Sequence, residues 1–94
     1  MRALEPDPSR IVTVTDLSPE TLQNIIELLE ISTDFEHLVY REAELDAIWS
    51  LSGFLLKEHP GEAPARLHEI AHAAHDLVAD QRPKEAAALL RSFL

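Results

Sequence analysis

Ninety-four residues suffice for one small domain. Eight Lys and Arg stand against seventeen Asp and Glu, a formal net charge of −9, which argues against direct binding to nucleic-acid backbones because that requires clustered cations. There is no cysteine, which excludes disulfide scaffolds, thiolate zinc sites and thiol catalysis, and no apolar run approaches the roughly 18–20 residues of a membrane span.

A chain of this length buries only about 60–65% of the surface its unfolded form exposes, so a lone copy is marginal and self-association is a usual remedy. No basic-then-apolar leader opens the chain, so a cytoplasmic location is the expectation. The acidic balance fits a small bacterial protein and is compatible with a basic protein partner.

Residues 1–16 are expected to form a flexible or extended N-terminal arm, and residues 17–94 a single helical domain. Met1 to Arg10 holds two prolines and no periodicity. Ile11 to Thr15 is β-branched throughout, the composition of a short strand; a lone strand must lie on the helices or pair with its copy in a dimer.

Ser18 is a good N-cap, Pro19 fits the first helical position, and Leu17 with Leu22 is spaced as a hydrophobic staple. Leu22, Ile25, Ile26 and Leu29 then fall on one helical face. The pattern restarts near Ser32-Thr33-Asp34, where Thr33 and Glu36 are spaced as a capping box.

A second helix is predicted from about Asp34 to Lys57, with Phe35, Leu38, Leu45, Trp49 and Leu56 as its stripe, interrupted by Glu42. Tyr40 to Glu44 reads as a partly exposed charged face on which Arg41 is spaced to pair with Glu44. From Ile48 to Leu56 the helix is apolar nearly all round, so it is expected to be covered on several sides, by its own neighbours or by another subunit. Ile48, Trp49, Leu51, Phe54 and Leu55 are the candidate interface residues. Trp49 reads as core or as a binding anchor, and Gly53 as a point of close helix approach.

His59-Pro60-Gly61 ends this helix. Pro64 is predicted to open a third, running to about Asp80, with Leu67, Ile70, Ala71, Ala74, Leu77 and Val78 as its core face. The break at Gln81-Arg82-Pro83 starts a last helix carrying Ala86, Leu89, Leu90 and Phe93. These elements predict an all-α fold, a compact three- to four-helix antiparallel bundle that dimerises.

One stretch carries chemistry. Leu67 to Asp76 reads L-H-E-I-A-H-A-A-H-D, and His68, Glu69 and His72 spell H-E-x-x-H. That pentapeptide resembles the H-E-x-x-H metallopeptidases. The resemblance covers five residues of 94 and implies zinc on His68 and His72, with Glu69 as the general base. A hydrolase also needs a third protein ligand and an open coordination position. His75 cannot supply that ligand, because seven residues along a helix rise about 10 Å; Glu85 in the next helix is the candidate. Separately, Ile70 to Asp76 is similar to the H-box of dimerising histidine-kinase helices, which implies His75 as phosphoacceptor beside Asp76. In a third reading the histidine row packs on neighbours or a partner and makes that contact pH-sensitive.

Glycine occurs only at positions 53 and 61, too sparse for a phosphate-binding loop. The reading that asks least of the sequence is a non-enzymatic helical interaction module without a cofactor, a homodimeric regulatory or accessory factor. The alternative is a zinc-binding protein or metallohydrolase using His68, Glu69 and His72.

Overall fold

A computed structural model of the chain describes residues 7–94. They form four helices: α1 (Pro19–Ile31), α2 (Phe35–Glu58), α3 (Glu62–Ala79) and α4 (Pro83–Arg91). No strand occurs among the described residues, so the fold is all-α; residues 1–6 of the expected arm lie outside them.

Local chemistry sets most boundaries. Ser18 caps α1 with its Oγ accepting the Thr21 N–H at 3.3 Å, and Asp16 supports the cap by accepting the Ser18 N–H at 2.9 Å. α2 starts from Asp34, which makes no side-chain cap bond. The expected Thr33–Glu36 capping box does not form; the Glu36 carboxylate instead accepts the Tyr40 hydroxyl at 2.6 Å, one turn forward. Gly61 precedes α3, which begins two residues before Pro64. Pro64 falls in the first turn, where no intrahelical N–H bond is lost. Gln81 adopts the left-handed conformation (φ 63°). Its N–H donates to the Val78 carbonyl and the Arg82 N–H to the Leu77 carbonyl, closing α3 in a Schellman motif before Pro83 begins α4.

α2 and α3 pair most extensively and run antiparallel: Gly53 faces His68, Trp49 faces His68 and His72, and Asp46 shares a cleft with His75 and Asp76. α4 packs on α3 and α1, while α1 touches α2 least of the four pairings. The shared core is Leu22, Ile25, Ile26 and Leu29 from α1, Leu38, Leu45 and Ile48 from α2, Leu67, Ile70, Ala71, Ala74 and Val78 from α3, and Ala86, Ala87 and Leu90 from α4. A radius of gyration of 12.9 Å is close to the roughly 12 Å expected of a compact chain this long.

Two side chains on α2 hold the arm in place. Arg41 and Glu44 were expected on a partly exposed face; they are instead 0% and 2% exposed. The guanidinium and carboxylate form a two-point pair, Nε to Oε1 at 2.5 Å and Nη2 to Oε2 at 2.9 Å. Arg41 Nη1 also donates to the Pro8 carbonyl at 3.1 Å and to Ser32 Oγ at 3.4 Å, and Nη2 donates to the Arg10 carbonyl. All five guanidinium N–H groups are thereby satisfied. Glu44 Oε2 accepts the Val12 N–H at 2.7 Å. The charged face is buried because the arm lies over it, 30-odd residues away in sequence. Along the arm Val12 and Val14 turn inward against the core while Ile11, Thr13 and Thr15 face out. This is the period-two alternation of a strand, with side chains of α2 where a neighbouring strand would be.

Burial pushes the Glu44 carboxyl above its ordinary value, against the opposing pull of the Val12 N–H and Arg41. A raised folded-state value means that Glu44 favours the fold most at pH below its unfolded value, and less as pH rises through the raised one. The pair's worth therefore lies in mutual compensation. Arg41→Met is expected to lose about 3–5 kcal/mol in urea unfolding, because it strands Glu44 and the two arm carbonyls. Arg41→Met with Glu44→Leu is expected to recover part of that loss. A single-variant loss below about 1 kcal/mol, the range of an exposed pair, would show that the network does not hold the arm.

Candidate functional site

The histidine row lies on α3 along its seam with α2, and its members meet different surroundings. His68 is half-buried, with its imidazole stacked on the Trp49 indole at a centroid separation of 5.0 Å and an interplanar angle of 19°. Its Nδ1 lies 2.9 Å from the Trp49 carbonyl and 3.0 Å from Ser52 Oγ. A carbonyl only accepts, so Nδ1 is the donor in that contact. Buried Ser52 donates its own hydroxyl to the same Trp49 carbonyl at 2.9 Å.

The seam is this tight because position 53 is glycine. A Cβ there would stand 3.0 Å from His68 Cε1, closer than side chains normally approach. The expectation that Gly53 admits a neighbouring helix is met by α3.

His72 is largely exposed, tilted against the same indole at 6.4 Å, with Nδ1 3.7 Å from Asp76 Oδ2. His75 Nδ1 is 3.8 Å from Asp76 Oδ1, and Glu69 faces solvent. Glu85, the candidate third zinc ligand, is paired with Arg82, the residue just before its own helix. Among the described residues no three His, Asp or Glu side chains converge where they could hold a metal ion. What His68 and His72 share is Trp49, which packs against both rings.

The candidate interface residues divide by depth. Ile48 is fully buried in the chain's own core and Leu51 is half-buried, whereas Trp49 is 39% exposed, Phe54 62% and Leu55 38%. Phe35, expected in the core stripe, is 78% exposed because the first residue of α2 points to the outer face. A groove of about 570 Å³ is lined by Trp49, Ser50, Gly53, Phe54, Leu56, Lys57 and His68. A second cleft of about 270 Å³, lined by Asp46, Trp49, His72, His75 and Asp76, continues along the seam on the other side of the indole. The sequence reading did not single out Asp46, Ser52 or Lys57. Asp46 and Ser52 lie three residues either side of Trp49, a spacing that marks them as its neighbours.

Compared with protein-family models, curated proteins and solved structures, the chain matches none.

Replacing glycine by alanine inside a helix ordinarily stabilises by about 1 kcal/mol. At Gly53 that gain is expected to vanish or reverse, because the methyl group must displace the His68 ring from Trp49. In a His68→Ala background the gain is expected to return. Urea unfolding of the four proteins reads this directly; an undiminished gain beside intact His68 would mean that the ring moves aside freely.

Proposed function

We propose that this chain is a non-enzymatic protein–protein interaction module, a helical bundle acting as a homodimeric regulatory or accessory factor. The observation that carries the reading is the outer surface of α2, where Trp49 and Phe54 flank an open groove. The core is complete without them. Sixteen buried apolar residues fill the interior, so two large aromatics held at the surface of a small acidic chain are available for another molecule. Aromatic side chains beside a pocket are the usual anchors of a protein contact, and their ordered χ angles limit the entropy lost on binding.

Binding asks only for such a patch. Hydrolysis by zinc on His68 and His72 with Glu69 as base would ask for a third ligand as well, and the interaction reading needs none. A second copy is the proposed occupant of the patch, which would relieve the marginal burial of a 94-residue chain.

Native mass spectrometry of untagged protein is expected to show a dimer. Trp49→Ala and Phe54→Ala are each expected to weaken it by on the order of tenfold or more while leaving helical content unchanged, as befits exposed anchor residues. Trp49 emission is expected to shift to longer wavelength as the protein is diluted through the dissociation range. A dimer indifferent to both substitutions would move the contact off this face.

A further inference from the structure

We infer that the N-terminal arm is a releasable strap, and that the seat it vacates beside Arg41 and Glu44 takes an extended peptide by its main chain. This does not depend on the homodimer reading. Among the described residues, every hydrogen bond from residues 7–14 to the helices uses a main-chain atom of the arm. Arg41 donates to the Pro8 and Arg10 carbonyls, and Glu44 accepts the Val12 N–H. Every residue offers such a carbonyl, and every residue but proline offers the N–H.

The arm's side chains add little selection. Val12 and Val14 lie against the core but are only half-buried, while Ile11, Thr13 and Thr15 face out. The seat therefore asks for an extended backbone with apolar side chains at two alternate positions. In a partner protein the matching element is an extended segment with β-branched residues at that spacing. The arm is one sequence among many that meet the requirement.

Release costs the helices little. Every buried member of the shared core belongs to a helix, none to the arm. Arg41 and Glu44 keep their two-point pair when the arm leaves, so opening hydrates the pair instead of stranding either charge. A segment with few buried side chains and solvent on its outer face opens below the free energy of global unfolding. The tether favours the chain's own arm through an effective concentration on the order of millimolar, which sets the level at which a free peptide competes.

The test uses the full chain, isotopically labelled for NMR, with amide hydrogen exchange as the readout. The Val12 N–H is expected to be protected on the order of 100-fold less than the Ala71 and Ala74 amides of α3. Equal protection would make the arm part of one cooperative unit and overturn the strap. An unlabelled peptide matching residues 7–16, at millimolar concentration, is expected to lower the protection of the chain's own Val12 N–H severalfold further. The peptide carrying Thr13→Ser and Thr15→Ser is expected to act like its parent, and the parent N-methylated at Val12 to have no effect. A methylated peptide that acts as well, a serine peptide that does not act, or a parent peptide without effect would overturn the main-chain-reading seat.

Discussion

A fully buried guanidinium must find an acceptor for every N–H, and meeting that demand at Arg41 organises the N-terminal third of this molecule. The acceptors come from three places: Glu44 on the same helix, the Pro8 and Arg10 carbonyls of the arm, and Ser32 at the end of α1. Ser32 in turn donates to the Leu28 carbonyl at 2.6 Å, so the same side chain closes the last turn of α1. Removing a charge from water costs several kcal/mol, which only a fully satisfied network offsets. The described residues meet that condition, with no buried side-chain polar atom left without a partner. α1 and α2 touch little directly, so this polar junction with the valines of the arm does much of the work of joining them.

The same junction decides what α2 can offer to other molecules. Around its circumference one side is covered by α3 and another by the arm and the Arg41–Glu44 pair. The remaining side is open. A helix that is apolar nearly all round normally signals burial on all sides, and here two sides are covered by the chain itself. The third leaves Phe54 largely in contact with water and Trp49 partly so, its indole being packed against His68 and His72 on the α3 side.

The helices could be read from the sequence because their signals are local. Ser18-Pro19, the His59-Pro60-Gly61 break and Pro83 act through bonds and sterics within a few residues, and the apolar rows of α1 and α3 each face a single core. α2 misled for the opposite reason. It must satisfy α3, the arm and its outer surface together, so its apolar residues do not mark one face, and Phe35 could be assigned to a core stripe although it points to solvent. The spacing of Arg41 and Glu44 was visible, but their burial depends on carbonyls and an N–H more than 30 positions upstream. Nothing within one turn of the helix records that. The left-handed Gln81 was hidden as well, because glycine or asparagine is the usual mark of that conformation. At the candidate site the row His68, His72 and His75 was legible as a row. Its relation to Trp49 was not, because it depends on the register of α2 against α3.

That register also explains how an H-E-x-x-H stretch can serve packing. Two imidazoles four residues apart lie along one strip, and from the opposing helix Trp49 stacks on the first and tilts against the edge of the second. The proton on His68 Nδ1 is directed at the Trp49 carbonyl, whose other neighbour is the Ser52 hydroxyl. The polar edge of the first histidine is thereby tied to the backbone of the residue whose ring it stacks on. Glycine at position 53 leaves the space this requires. Each of these residues fixes the next: Gly53 admits His68, His68 orients the indole, and the indole forms one wall of the groove on the outer face of α2. Two of the residues that look most like chemistry in the sequence, His68 and His72, thus pack against the chain's one tryptophan and help set its pose at the surface.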